Sequence, residues 1–191
     1  MSKRSVFRLL SGLALSGAAI ATTLSVLPAQ PSVAQTNQGM TLFGGVDSDF
    51  RLPYTLRNNQ PRSTRAHYYL RVPGNQMETA ASKLRISYPE AFTNRRGRFD
   101  TDEIEVRRGR GTGGSEIAVE EVVWVPESNQ IEIYLEEDIP ADTSFVVSMK
   151  VRNPNRFGMH RFNLQVEARG DVLPRYVGTW ELLVAEDMGN R

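Results

Sequence analysis

Residue types that commonly carry chemistry are scarce in this sequence. It contains no cysteine and only two histidines, His67 and His160, which lie far apart in the chain. A metal site needs three or four ligands, and no serine lies on the G-x-S-x-G elbow of a nucleophilic hydrolase. We therefore predict no catalytic residue, cofactor or metal site. A metal-handling protein that uses both histidines and nearby methionines is kept as a second alternative.

Carboxylate pairs are present, but no pair is singled out by its spacing. Asp47 and Asp49 lie close together near an expected loop, as do the acids of segment 100–103. Such loops can supply oxygen ligands to calcium, although solvated loop acids are the simpler interpretation. Two carboxylates that meet in the fold can also hydrolyse a glycosidic bond. A carboxylate-based hydrolase of envelope or extracellular polysaccharide is therefore the first alternative function.

The most distinctive feature is a stretch rich in arginine and glycine. Its six arginines and four glycines are Arg95, Arg96, Arg98, Arg107, Arg108, Arg110, Gly109, Gly111, Gly113 and Gly114. Guanidinium groups suit sulfate, phosphate and carboxylate groups, so the stretch predicts an anion-binding loop. The first three arginines would join the last three if both connections lay at one end of the domain. The simpler interpretation is an exposed loop whose charges keep a sheet edge soluble.

Period-two alternation of apolar and polar residues dominates the chain after residue 42, which predicts β-strands. The alternating runs are 66–72, 84–88, 104–106, 131–135, 145–151, 160–166 and 176–184. The run 117–125 is also a strand, and Glu120-Glu121 shifts its phase as a β-bulge would. The one helix expected is short, around 77–82. Together these runs predict an all-β, antiparallel, immunoglobulin-like β-sandwich of about seven to nine strands over 42–184.

Residues 1–34 have the composition of an export signal. Three basic residues precede the uncharged, mostly apolar stretch 9–27, and Ser32-Val33-Ala34 places small residues just before Gln35. These are the three parts of a cleavable secretory signal peptide. A retained membrane anchor has no need of the small-residue site, so we predict no retained transmembrane segment. A flexible segment (35–41) and a C-terminal tail (185–191) are expected to flank the sandwich.

The charge of the chain is close to neutral. It has 23 lysines and arginines against 22 acidic residues, and three of the basic residues lie within the predicted signal peptide. The remainder is therefore slightly acidic. A dedicated nucleic-acid binder shows a strongly basic balance, so nucleic acid is excluded as the expected partner.

Several stretches of the chain together resemble a known family. They are Arg71-Val72-Pro73-Gly74, 83–86, 138–143, Asn153-Pro154, Gly158 and 176–180. This arrangement is similar to the cyanobacterial exported family called domain of unknown function 2808, and the likeness covers roughly Phe43 to Val184. The resemblance implies a β-sandwich, a cyanobacterial source and a periplasmic or extracellular location, and it carries over no catalytic residues. We therefore predict a non-enzymatic binding or envelope-associated module, with acidic polysaccharide or another envelope component as the candidate partner.

Overall fold

A computed structural model describes residues 46–185 of the chain. The predicted signal peptide (1–34), the N-terminal segment (35–41) and all but the first residue of the predicted tail (185–191) lie outside the described residues. Within the described part, no helix has the length and apolar character needed to cross a membrane.

Two five-stranded antiparallel sheets pack face to face in the described part of the chain. Their strands are β1 (Tyr54–Arg57), β2 (Ala66–Val72), β3 (Ala81–Ser87), β4 (Arg98–Arg108), β5 (Glu116–Ile117), β6 (Val119–Val125), β7 (Gln130–Ile139), β8 (Phe145–Arg152), β9 (Gly158–Glu167) and β10 (Arg175–Val184). One sheet has the order β1-β2-β8-β4-β5, and the other has the order β10-β9-β3-β7-β6. The predicted immunoglobulin-like sandwich is confirmed. The strands number ten rather than seven to nine, because β1 and the two-residue β5 are too short to show clear alternation.

The alternating runs bury the face that the sequence predicts. Along β2 every second side chain, from Ala66 to Val72, is at most 1% exposed, and the intervening side chains are half-buried. From the opposite sheet, Phe162 and Leu164 of β9 pack into the same core. Burial of apolar surface is the main favourable term in folding, so this pattern fixes which side chains each strand presents to solvent.

One short helix was placed wrongly by the sequence prediction. Within 77–82, Met77 follows a single 3-10 turn (Gly74–Gln76), and Ala81 already begins β3. The helix that forms is α1 (Glu90–Asn94), and it directly follows Pro89. Proline lacks a backbone donor and fixes φ near the helical value, so it is tolerated at a helix start. Apolar periodicity cannot reveal a helix of five residues.

The predicted β-bulge is confirmed, and it marks a change of sheet. The pairing of β6 with β7 shifts register between Val119 and Glu121. The predicted strand 117–125 is divided, because β5 pairs with β4 in one sheet and β6 pairs with β7 in the other. A bulge increases the local bend of a strand, which suits a chain that crosses between two sheets.

An aromatic cluster closes the core at one end of the sandwich. Phe92 of α1 stacks on Phe99 of β4 with ring centroids 5.1 Å apart, and it meets Phe162 edge-on at 5.3 Å. Tyr88 lies 4.9 Å from Phe99. Such aromatic contacts add to the stabilisation from buried area alone. They fix α1 and the start of β4, the two elements that flank Arg95 and Arg96.

Candidate anion-binding site

Strand β4 divides the predicted arginine stretch between the two ends of the sandwich. Strand residues rise about 3.4 Å each, so the ends of this eleven-residue strand lie roughly 30 Å apart. Arg95, Arg96 and Arg98 lie at its first residue or just before it, and Arg107, Arg108 and Arg110 lie at its end or just after it. The two groups do not form one surface, contrary to the arrangement in which both connections lie at one end.

The glycine-rich connection after β4 is a turn closed by backbone hydrogen bonds. The Arg108 N–H donates to Ser115 O at 2.8 Å, and Arg107 pairs with Glu105 at 2.9 Å. A Cβ added at Gly114 would lie 1.6 Å from Arg108 O, so close backbone approach requires glycine here. Among these arginines, Arg108 and Arg110 have no described carboxylate oxygen within 4.0 Å.

Positive charge collects at the other end of the sandwich, which we call the arginine end. It comprises the segments 57–65, 88–98, 125–130 and 152–157. Within them lie the arginines Arg57, Arg62, Arg65, Arg95, Arg96, Arg98, Arg152 and Arg156. None of these eight has a described carboxylate oxygen within 4.0 Å. The only acids in the four segments are Glu90 and Glu127, so six positive charges are in excess.

Three of these arginines surround one cleft. This arginine cleft has a volume of about 350 Å³ and is lined by Arg62, Arg96, Arg152, Asn153 and Asn155. Backbone hydrogen bonds join the segments that form it: Arg62 N–H donates to Pro154 O at 2.9 Å, and Asn155 N–H donates to Arg95 O at 2.8 Å. Residues from three distant parts of the sequence are therefore held together.

Two of the cleft arginines have an unusual backbone conformation. Arg62 has φ of 64° and Arg96 has φ of 68°. This left-handed region is uncommon for residues other than glycine, and it persists where the surrounding structure imposes it. Arg96 is held at the end of α1, where its N–H donates to Thr93 O at 2.8 Å. An arginine side chain is thus present at positions whose backbone conformation favours glycine.

A buried amide anchors the loop that carries Arg62. Asn153 is 1% exposed, and its Nδ2 donates to Gln60 O at 2.9 Å. Its Oδ1 accepts a hydrogen bond of 2.6 Å from the Tyr68 hydroxyl in the core. Buried polar groups are costly unless they are hydrogen-bonded, so these bonds tie the loop to the sandwich.

Two polar atoms of segment 155–160 have no hydrogen-bond partner among the described residues. They are Asn155 Oδ1 and His160 Nε2, and both are buried. His160 and Arg95 both lie beside Gly158. A Cβ placed on this glycine would be 3.8 Å from His160 Nε2 and 3.8 Å from Arg95 Nη1. Burial first, and then the positive charge of Arg95, hold the pKa of His160 below its ordinary value. The imidazole is therefore neutral at neutral pH.

A second cleft adjoins the first. It has a volume of about 470 Å³ and is lined by Thr93, Arg96, Gly97, Arg98, Trp124, Pro126 and Arg152. We call it the tryptophan cleft, and it shares Arg96 and Arg152 with the arginine cleft. Trp124 Nε1 donates to the Tyr88 hydroxyl at 2.6 Å, and the Arg98 guanidinium lies 5.8 Å from the Trp124 ring centroid. The indole is held by one polar contact and keeps part of its surface open.

Neither cleft has the residues for acid–base or metal chemistry. No aspartate or glutamate of the described chain lines either one. Across residues 46–185, no group of three His, Asp or Glu side chains is arranged to hold a metal ion. His67 lies on β2, in the sheet opposite His160, and stacks on Tyr69 with ring centroids 5.3 Å apart. The clefts instead offer guanidinium groups, amides and an indole ring.

Of the six arginines in the predicted anion-binding stretch, Arg96 and Arg98 line the clefts, and Arg95 lies beside them at the arginine end. The sequence did not single out Arg62, Arg152 or Trp124, which come from other strands and loops. The available signal was indirect: the turns 58–61 and 153–155 are marked by asparagine and proline, and each brings polar side chains to the arginine end.

Comparison with protein families shows which family the chain belongs to. The family model described as "Protein of unknown function (DUF2808)" matches residues 40–184. The chain belongs to this family. The match contains every residue that lines the two clefts, and it confirms the family resemblance seen in the sequence. Comparison with curated proteins gave no match.

Several solved structures are similar to the chain at low identity. The collagen-binding domain from a Staphylococcus aureus adhesin is 11% identical with a TM-score of 0.41, and the match covers 72% of this chain and 97% of that one. BslA, a bacterial hydrophobin, is 13% identical with a TM-score of 0.45, and the match covers 71% of this chain and 97% of that one. The collagen-binding domain of the Erysipelothrix rhusiopathiae surface protein RspB is 11% identical with a TM-score of 0.40. This match covers 71% of the present chain and 47% of that one.

Proposed function

We propose that this protein is an exported, non-enzymatic binding module whose arginine end holds acidic polysaccharide of the cell envelope. The observation that carries the proposal is the convergence of Arg62, Arg96 and Arg152 on one cleft, with no described carboxylate to neutralise them. Cations that line the same cleft repel one another, so an anion that enters between them is favoured. Arginine also matches the planar geometry of carboxylate and the oxygens of sulfate and phosphate.

A hydroxylated ligand fits the clefts better than a bare anion. Asn155 lines the arginine cleft beside its arginines, and the side-chain amide of an asparagine can exchange hydrogen bonds with sugar hydroxyls. In the adjoining tryptophan cleft, Trp124 and Pro126 offer an apolar surface against which the C–H face of a sugar ring can pack. An acidic sugar combines all three properties, because it carries an anionic group, hydroxyl groups and an apolar ring face.

The two alternative functions receive no support from the geometry. A glycosidase needs two carboxyl groups about 5–9 Å apart across its substrate, whereas both clefts of the described chain lack acids. A metal-handling protein needs converging ligands, and His67 and His160 belong to different sheets. Binding without chemistry is therefore the function that the arginine end favours.

Export is part of the proposal and has its own test. The composition of residues 1–34 is that of a signal peptide, and the family resemblance implies a periplasmic or extracellular location in a cyanobacterium. Mass spectrometry of the native protein is expected to find an N-terminus at Gln35 or within a few residues of it. Recovery of peptides from 9–27 in the mature, membrane-bound protein would contradict processing.

Retention on an immobilised uronic-acid polysaccharide tests the binding site. The protein beginning at Gln35 is compared with Arg62→Ser/Arg96→Ser/Arg152→Ser. The matched control is Arg107→Ser/Arg108→Ser/Arg110→Ser, which removes the same charge from the opposite end. We expect the wild type and the control to elute at higher salt than the cleft variant. Failure of the wild type to bind at low salt, or equal elution of the two variants, would overturn the proposal.

A further inference from the structure

An exposed apolar patch adjoins the arginine end. It consists of Phe157, Met159 and Leu183, which are 71%, 57% and 46% exposed. We infer that this patch, together with the neighbouring arginines, docks the domain on the surface of an anionic lipid bilayer. The inference goes beyond the proposed function, because it depends on the apolar patch and not on the two clefts.

The three side chains of the patch lie on one face of the molecule. Met159 is the second residue of β9, and Phe157 lies two positions before it, directly ahead of the strand. His160, the next residue after Met159, is buried and points into the core. Met159 is paired with Leu183 across the β9–β10 ladder. Because β10 is the outer strand of its sheet, the patch lies at an edge that a flat surface can approach.

The patch is continuous with the segments that carry the unpaired arginines. Phe157 directly follows Arg156 and belongs to the same loop as Asn155 of the arginine cleft. Asn59 Nδ2 donates to Leu183 O at 3.2 Å, which joins the patch to the loop that carries Arg62. Apolar and cationic side chains therefore occupy the same end of the sandwich.

The positive charge of the arginine end indicates which partner the patch contacts. A second copy of the chain seated there would bring another arginine end close to this one, and like charges disfavour that contact. An anionic bilayer satisfies both features, since apolar side chains enter the boundary between headgroups and acyl chains while arginines meet lipid phosphates. Acidic polysaccharide offers no comparable apolar layer for three such side chains.

The opposite end of the sandwich provides a matched control. Val172 and Leu173 in the β9–β10 connection are 92% and 65% exposed, so they are at least as accessible as the patch. The arginines beside them are neutralised, because Arg169 lies 3.0 Å from Asp138 and Arg175 lies 3.7 Å from Asp171. Exposed apolar residues without free cations are not expected to bind an anionic bilayer.

Vesicle flotation tests the inference with the protein that begins at Gln35. Vesicles of phosphatidylglycerol and phosphatidylcholine are compared with vesicles of phosphatidylcholine alone. We expect wild-type protein to float with the anionic vesicles only. Because Phe157→Ser/Leu183→Ser removes two large apolar side chains from the contact, it is expected to reduce the partition coefficient by at least about tenfold. The control Val172→Ser/Leu173→Ser is expected to float like the wild type.

Two further measurements separate this inference from the proposed function. The patch variant is expected to keep its retention on the uronic-acid column, and loss of that retention would contradict a separate lipid contact. Sedimentation is expected to give the same oligomeric state for wild type and patch variant, and a change of state would assign the patch to a second copy of the chain. Failure of the wild-type protein to float with anionic vesicles, or equal flotation of the patch variant and the control, would overturn the inference.

Discussion

The Tyr68 hydroxyl donates a hydrogen bond of 2.6 Å to Asn153 Oδ1, and both residues are at most 1% exposed. Burial raises the pKa of the Tyr68 hydroxyl, so the group remains a donor at every pH at which the protein is expected to work. Through Gln60 O, which accepts from Asn153 Nδ2 at 2.9 Å, this pair connects the core to the loop that carries Arg62. The position of a surface arginine thus depends on a hydrogen bond in the interior.

Removal of that hydroxyl is expected to destabilise the domain. Tyr68→Phe leaves Asn153 Oδ1 buried without a donor, which costs about 1–3 kcal/mol. Chemical denaturation measures the free energy of unfolding, and Tyr69→Phe on the half-buried face of the same strand serves as the control, with a change within about 0.5 kcal/mol. Equal midpoints for the two variants would show that the hydrogen bond does not anchor the loop.

Truncation of the largest core side chain tests the last strand. Trp180 of β10 is fully buried, and its Nε1 donates to Arg71 O at 3.0 Å. Trp180→Ala is expected to lower the free energy of unfolding by about 3–5 kcal/mol, because it leaves a cavity and an unpaired carbonyl. Leu183→Ala on the exposed face of the same strand should change it by less than about 0.5 kcal/mol. A melting temperature unchanged by Trp180→Ala would show that β10 contributes little to the stability of the sandwich.

Alternation predicted the strands because it is a local property of the chain. A side chain in a strand faces the core at every second position, so the buried positions of β2 and β9 follow from the sequence. Contacts across the sandwich are not local, and so the sequence did not reveal that Arg62, Arg96 and Arg152 meet. The length of β4 was underestimated for a related reason: a register shift between Asp100 and Ile104 interrupts its alternation.

The sequence singled out arginine as the candidate anion-binding residue type, but it did not show that β4 separates the two groups of arginines. Arg107 and Arg108 share the strand β4 with Arg98, and the ends of a strand point to opposite ends of a sandwich. Which arginines have a carboxylate partner also depends on contacts between strands. Asp100 and Glu103 approach Lys150 of β8, at 3.2 and 3.6 Å, rather than Arg98.

Acid is expected to destabilise the domain through His160. Its folded-state pKa lies below the ordinary value of 6.5, first because it is buried and second because Arg95 is near. The unfolded chain therefore takes up the proton first, and stability falls as the pH drops below about 6.5 towards the folded-state pKa. Denaturation of wild type and His160→Gln at several pH values isolates this contribution from that of the carboxylates. A difference between the two that is independent of pH would contradict a depressed pKa.

Direct titration of a uronic-acid oligosaccharide into the protein tests whether the arginine end binds acidic sugars. Calorimetry on wild type, Arg96→Ser and the control Arg108→Ser compares one residue that lines both clefts with one that lines neither. Loss of a charge-assisted contact weakens binding by about tenfold or more. We expect one binding site per chain. Arg96→Ser, but not Arg108→Ser, should weaken its affinity to this extent, and the affinity should be lower at about 0.15 M salt than at low salt. Equal affinity of the two variants, or no binding by wild type at low salt, would contradict the proposed function.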